Sequence, residues 1–262
     1  MKILLKKKRG EYFLFGIKIK ILPKKIGIVF LVSALLPGIL AACSSAPQTT
    51  PSPIITTASP VSTVSFPLTI TDQTERTVTL NAPPQRIVSL APSNTEILFA
   101  LGLSDKIAGV TDFCNYPPEA REKPRIGGFS TPNIEAVIAK SPDLVLAANI
   151  HISKIVPQLE SRGLTVLVLN PKNIDQILAA INLVGRVGGK EKEAKTLTDN
   201  MQQRIKAVSD KTSVLSLLPA TCFIVWHDPL TIAGASTFHD ELIMKAGGIN
   251  IGHSLSGYSK DF

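Results

Sequence analysis

The stretch Arg86-Ile-Val-Ser-Leu-Ala-Pro-Ser-Asn-Thr-Glu-Ile-Leu-Phe-Ala-Leu-Gly102 constrains the fold more than any other. Ile87, Val88 and Leu90 form a short apolar, β-branched run, the pattern of a parallel strand covered on both faces. Pro92 interrupts it, and Ser93 then precedes Glu96 at the capping-box spacing. Ile97, Leu98 and Leu101 give the following helix an apolar face, and Gly102 is placed to end it. The pattern is strand, tight loop and helix. In open α/β sheets ligands bind where a loop joins a strand's carboxyl end to a helix N-terminus. Ser93 and Glu96 therefore read either as ligand-facing groups or only as the helix cap.

The rest of the first half repeats this unit. Strands are expected at 87–90, 107–110, 144–147 and 166–169, and helices at 95–101, 132–139 and 152–162. Asn133 is placed to cap the second helix and Gly163 to end the third. Such alternation predicts a parallel sheet with right-handed crossovers. Ahead of it, Leu68-Thr-Ile-Thr and Thr77-Val-Thr-Leu alternate around Asp72-Gln-Thr-Glu, a hairpin signal.

From Ile174 the period changes to helical. Ile174, Ile177, Leu178, Ile181 and Val184 share one face, and Gly188-Gly189 interrupts. Ala194, Leu197, Met201, Ile205 and Val208 then continue. The second of these helices, 190–211, is long enough to span about 30 Å. Gly185 to Lys190 lacks both the glycine spacing and the Ser/Thr of a phosphate-binding loop. From Ser213 onward, Cys222-Phe-Ile-Val-Trp reads as a buried strand and Leu230-Thr-Ile-Ala as a shorter one. Phe238–Ala246 reads as a helix closed by Gly247-Gly248. Two or three strands and one helix do not cover a two-sided sheet, so this second lobe is expected to be incomplete.

The formal net charge of +8 at first points to nucleic acid, but it is confined to the leader. Nine basic residues and Glu11 precede Cys43, and after it the two signs balance at nineteen each. A neutral body without an Arg/Lys stripe excludes nucleic acid as a partner. The basic leader runs into an uncharged apolar segment and ends in Leu40-Ala-Ala-Cys43, the arrangement of a secretory signal. Ser44 to about Pro67 is rich in Ser, Thr, Pro and Ala and reads as a flexible tether.

No catalytic constellation is present. His151, His227, His239 and His253 have no His-Glu-x-x-His spacing, and no serine sits in a Gly-x-Ser-x-Gly elbow. His227-Asp228 and His239-Asp240-Glu241 carry metal-ligating types, but neighbours on a strand or helix point apart, so no metal site is assigned. Cys114 and Cys222 fall in different lobes and are expected to stay unpaired.

Taken in order, the opening stretch, Asn115-Tyr-Pro-Pro-Glu, Ile126-Gly-Gly-Phe-Ser-Thr-Pro-Asn-Ile-Glu, Ser141-Pro-Asp-Leu-Val-Leu, Trp226-His-Asp-Pro-Leu and Phe238-His-Asp-Glu-Leu form a set. This set resembles the cobalamin-type substrate-binding proteins of ABC transporters. Their helical-backbone group also includes receptors for haem and ferric siderophores. The resemblance runs from about Leu68 to the end of the sequence, and Leu40-Ala-Ala-Cys43 resembles a bacterial lipobox. It implies an α/β fold of two Rossmann-like lobes with parallel sheets bridged by one long helix, the class III periplasmic-binding-protein fold, with the second lobe incomplete. The corresponding organisation is a lipoprotein signal peptide (1–42), a tether (43–67), a first lobe with its leading hairpin (68–172), bridging helices (173–212) and a partial second lobe (213–262).

The resemblance further implies capture, not catalysis, and no cofactor. A corrinoid such as cobalamin is held between the lobes and passed to the ABC permease subunits. The chain is a monomer, lipidated at Cys43 and exported to the outer face of the cell membrane. Haem or a ferric siderophore is the alternative ligand. A non-transport surface lipoprotein or a metal-chelating enzyme on the same scaffold is the alternative of another class. A corrin is flat, largely apolar and polar at its rim, so its cleft needs aromatic faces and a few hydrogen-bonding groups. By resemblance, Ser93, Asn94, Tyr116, Phe129, Trp226 and Tyr258 are the ligand-binding candidates. Ordinary core or loop packing is the alternative for each, and for Phe113. Glu135, in the first turn of its helix, either pairs with a permease arginine or only complements the helix dipole. The matching acid of the second lobe is expected beyond Phe262.

Overall fold

The computed structural model describes residues 12–14, 17–19 and 65–260. The readings of the leader segment, Cys43 and most of the tether lie outside the described residues. Two units are present, residues 1–57 and 58–262. In the first, β1 (Tyr12–Leu14) and β2 (Ile17–Ile19) pair antiparallel, Tyr12 opposite Ile19.

In the second unit, β3 (Leu68–Thr71) and β4 (Thr77–Leu80) form the expected hairpin, with Leu68 opposite Leu80. Leu68, Ile70, Val78 and Leu80 point inward and the threonines outward, the period of two that pins a register. Asp72, buried in the turn, docks the hairpin on the sheet. One of its oxygens accepts from Thr74 and Arg76, and the other from Val168 N–H at 3.2 Å.

That sheet is formed by β5 (Ile87–Ser89), β6 (Ile107–Val110), β7 (Leu144–Ala148) and β8 (Val166–Leu169). All are parallel, in the order β6-β5-β7-β8. Successive residues feed opposite faces. Ile87, Leu144, Leu146, Leu167 and Leu169 join one core, while Val88, Val145, Ala147, Val166 and Val168 join the other. Burial on both faces is why these strands read as continuous apolar runs.

The helices of this lobe are α1 (Pro92–Ala100), α2 (Ile134–Ala139) and α3 (Ile155–Glu160). The capping box expected of Ser93 and Glu96 does not form. The helix begins two residues earlier than that cap would place it, with Ala91 as N-cap, no side-chain cap bond, and Pro92 in the first turn. Proline suits that position because its φ is already helical and its missing N–H would have had no partner. Gly102 ends the helix at φ +69° as expected. Asn133 caps α2, its side-chain oxygen accepting from Ala136 N–H at 3.0 Å. Asn133→Ala is expected to cost about 1 kcal/mol, read as a lowered urea midpoint at unchanged slope.

Two further helices pack as a pair, α4 (Ile174–Gly188) and α5 (Glu191–Thr212), turned by left-handed Gly189. The 22 residues of α5 extend about 33 Å. The pair approaches closely at Gly185, where a Cβ would lie 2.4 Å from Ala194 Cβ and 3.0 Å from the Lys190 carbonyl.

The last lobe contains β9 (Ala220–Thr221), β10 (Ile224–His227), β11 (Leu230–Ala233), α6 (Phe238–Lys245), β12 (Ile249–Asn250) and β13 (Tyr258–Ser259). The parallel pairing expected here is met by β9 and β12, whereas β10, β11 and β13 pair antiparallel. The strand expected to be buried at 222–226 is not. It starts at Ile224 and every residue of β10 is exposed, because among the described residues nothing covers its outer face. Three contacts tie this lobe to the helix pair. Ile174 N–H donates to Glu241 Oε2 at 2.8 Å, Ser209 Oγ donates to the Lys245 carbonyl at 3.0 Å, and Gly247 packs on Thr212. Cys114 and Cys222 are both free.

Candidate functional site

The chain leaves β5 toward β6 on one side and leaves β7 toward β8 on the other. The carboxyl ends of β5 and β7 therefore flank a topological switch point, the place where open α/β sheets form a crevice. Asn94 spans it, its amide donating to the Ala147 carbonyl at 3.0 Å. A concavity of about 410 Å³ opens beside this bridge. Ser93, Asn94 and Glu96 of α1 and Tyr116 of the loop after β6 form its polar rim, and Ile181, Leu197 and Met201 of the helix pair form its apolar wall. A second concavity of about 750 Å³ continues from Glu96 and Tyr116. Its charge is mostly negative, with Asp105, Glu119 and Glu122 against Lys123. Both volumes lie in the range of small-molecule sites.

The structure thus assembles Ser93, Asn94 and Tyr116 into one surface. Asn94 is buried, while Tyr116 is 64% exposed and lines both concavities. Phe129, Trp226 and Tyr258 do not line either concavity. Phe129 sits half-buried on the neighbouring loop. Trp226, opposite Thr231, and Tyr258, opposite Ala233, lie on the outer strands of the antiparallel sheet. They are 58% and 54% exposed, so Trp226 is not core, and neither is Phe113. Trp226 Nε1 donates to the Asp228 carbonyl at 2.7 Å, and the Tyr258 hydroxyl meets His239 Nδ1 at 3.2 Å. His239 stacks on Phe223, ring centroids 3.9 Å apart. Its neighbour Asp240 turns instead toward Asn250 and His253, so adjacent metal-ligating types diverge as a helix requires. Among the described residues no group of three metal-ligating side chains converges. Glu135 stands exposed in the first turn of α2, 3.5 Å from Arg162. An exposed pair of this kind contributes about 0–1 kcal/mol and exchanges readily for another cation.

Sequence reasoning treated His151 only as a missing metal or catalytic group. It is fully buried in the turn after β7, where Ala148 N–H donates to Nδ1 at 2.9 Å and Nε2 bonds the Phe129 carbonyl at 2.7 Å. Burial holds its pKa below the ordinary 6.5. The available signal was its position, directly past a strand whose carboxyl end faces the crevice. The apolar wall on α4 and α5 was also visible in the periodicity, where it read as packing between helices.

Residues 87–261 match the model of the periplasmic binding protein family. The chain belongs to this family. An ABC transporter substrate-binding lipoprotein of Bacillus subtilis, YvrC, is 38% identical over 185 residues, covering 68% of this chain and 59% of that one. A cobalamin-binding protein of Halobacterium salinarum is 34% identical over 190 residues, covering 71% and 51% respectively. Among solved structures, the apo periplasmic heme-binding protein RhuT of Roseiflexus sp. RS-1 superposes with a TM-score of 0.61 at 26% identity, covering 67% of this chain and 69% of that one. The chain spans less than two thirds of the length of the curated relatives it matches. As a periplasmic binding protein it has the α/β fold with a parallel sheet and a long helix that the sequence implied. No helix among the described residues is long and apolar enough to cross a membrane.

Proposed function

We propose that this periplasmic binding protein is the capturing component of an ABC importer. It takes cobalamin or a related corrinoid into the crevice and delivers it to the permease, anchored through lipidated Cys43. The observation that carries the reading is the groove itself. An apolar wall faces a rim of Ser93, Asn94 and Tyr116, and the surrounding charge is acidic. A corrinoid presents a flat apolar face and a periphery of neutral amides, which such a groove accepts without an unpaired charge. Haem brings carboxylates, and most ferric siderophores are anionic chelates, so both are disfavoured by Glu96, Asp105, Glu119 and Glu122. Haem remains the second reading, supported by the exposed Tyr116 phenol, an iron-ligating type, and by the likeness to a heme-binding structure. In this proposal Ser93, Asn94 and Tyr116 contact the ligand in the groove, and Phe129, Trp226 and Tyr258, which line neither concavity, contact the part of it that extends beyond the groove. Glu135 leaves Arg162 for an arginine of the permease, and the action needs neither cofactor nor covalent chemistry.

Calorimetric titration of the full chain with cobalamin, haem and a ferric siderophore, after circular dichroism establishes folding, is the test. Saturable one-site binding of cobalamin alone is expected. Selective haem or siderophore binding removes the corrinoid and keeps the receptor. Silence toward all three from a folded chain removes the capture reading.

A further inference from the structure

The carboxyl end of β7 is a junction. The Ala147 carbonyl accepts from Asn94, and the next residue, Ala148, donates its N–H to His151 Nδ1. Because Nδ1 accepts, the imidazole proton resides on Nε2, which donates to the Phe129 carbonyl at 2.7 Å. The Phe129 ring meets the imidazole edge-on, with centroids 5.5 Å apart at 80°. Only the neutral imidazole accepts and donates at once, and the burial of His151 favours that form. The loop carrying Phe129 is fixed at its base by other bonds. Asn133 N–H donates to the Ile126 carbonyl at 2.8 Å and Asp112 N–H to the Gly127 carbonyl at 2.9 Å. Gly127, at φ +95°, makes the turn that no side chain would accept comfortably. Beyond that base, the Phe129 carbonyl is held by His151. One hydrogen-bonded chain thus runs from Asn94, at the groove, through β7 and His151 to Phe129.

We infer that His151 is a positioning residue. It carries the register of β7 into the Phe129 loop and fixes where Phe129 is presented to the ligand. This rests on the reading of Phe129 as a ligand contact. His151 itself touches no ligand.

The test uses the full chain, with cobalamin as probe and haem as a second arm. His151→Asn keeps an acceptor near Nδ1 and removes the donor to Phe129. His151→Gln keeps a side-chain donor at that reach. Leaving the part-buried Phe129 carbonyl without its donor is expected to weaken cobalamin binding about tenfold in His151→Asn, with most of the affinity restored in His151→Gln. Phe129→Ala weakens binding by itself, and His151→Asn adds nothing on that background. Without ligand, amide exchange of residues 127–131 accelerates about tenfold in His151→Asn and returns toward normal in His151→Gln. Additive losses in the double variant, or unchanged loop exchange in His151→Asn, overturn the inference. If the wild type binds neither probe, the ligand reading fails, and the exchange result still decides the role of His151. If His151→Asn does not fold, the loop exchange of His151→Gln against wild type decides it, near-equality supporting the role and loss of protection overturning it.

Discussion

Gly185→Val is expected to destabilise the protein by about 3 kcal/mol, because neither neighbour of the added atoms can yield. A Cβ at 185 would sit 2.4 Å from the Ala194 Cβ and 3.0 Å from the Lys190 carbonyl, which are a short, stiff side chain and backbone. The Lys190 backbone is itself fixed, its N–H donating to the Gly185 carbonyl at 2.6 Å. Relief requires α4 and α5 to part, and these two helices supply the apolar wall of the groove. Urea denaturation at pH 7 measures the loss, and a drop below about 0.5 kcal/mol would show that the helices separate freely. Gly189→Ala is the comparison. It too burdens a glycine, but in open space, so it carries only the cost of a left-handed backbone, about 1 kcal/mol.

Removing the Asp240 carboxylate is the second large effect, about 2 kcal/mol for Asp240→Ala. The side chain is buried at the start of α6, where it accepts from Asn250 Nδ2 at 2.8 Å and meets His253 Nδ1 at 2.9 Å. Burial alone would raise its pKa. The hydrogen bonds from Asn250, His253 and the Ser236 backbone, with the attraction of His253, outweigh burial and hold the pKa below 3.8. A carboxylate whose folded pKa is depressed stabilises the native state fully above its unfolded pKa. That contribution is lost as pH falls through the folded value. The loss therefore falls below about pH 4. Trp226, the one tryptophan of the sequence, lies in the same lobe and reports the transition by fluorescence. In Asp240→Asn the acid-dependent part of that lobe's unfolding should flatten. An acid limb identical to wild type would remove Asp240 from the account.

How far these features were legible depends on what each residue has to bury. β5 to β8 were readable because Ile87-Val88, Leu144 to Ala147 and Val166 to Leu169 are apolar at every position, and only a strand with two covered faces needs that. The same logic failed at Cys222 to Trp226. The run is equally apolar, but burial depends on a covering layer, and local sequence does not report whether one is present. The helix start at Pro92 differs from the capping-box expectation because Ser-x-x-Glu spacing places the cap at Ser93, two residues past the real N-cap Ala91, and a proline at the first helical position outweighs that spacing. At the site, Ser93, Asn94 and Tyr116 come together because two consecutive strands deliver them to one edge, which the strand–loop–helix pattern conveys. His151 was not legible as a site residue. Its role depends on contacts across 22 residues of sequence, to a backbone carbonyl that carries no side-chain signal.

The bond from Ile174 to Glu241 bears on the mechanics of the whole second unit. A lobe fixed only to the end of a rod swings about that joint. Here α6 is fastened at two places, to the tail of α5 through Ser209 and to the head of α4 through Glu241. Since α4 and α5 pack side by side, the three helices form a triangulated frame, and a truss does not fold where a hinge would. The placement of the last lobe on the helix pair is then a dimension of the scaffold. In the proposed capture, a ligand is gauged by fit against walls already in place, and little of its binding energy is diverted into moving them.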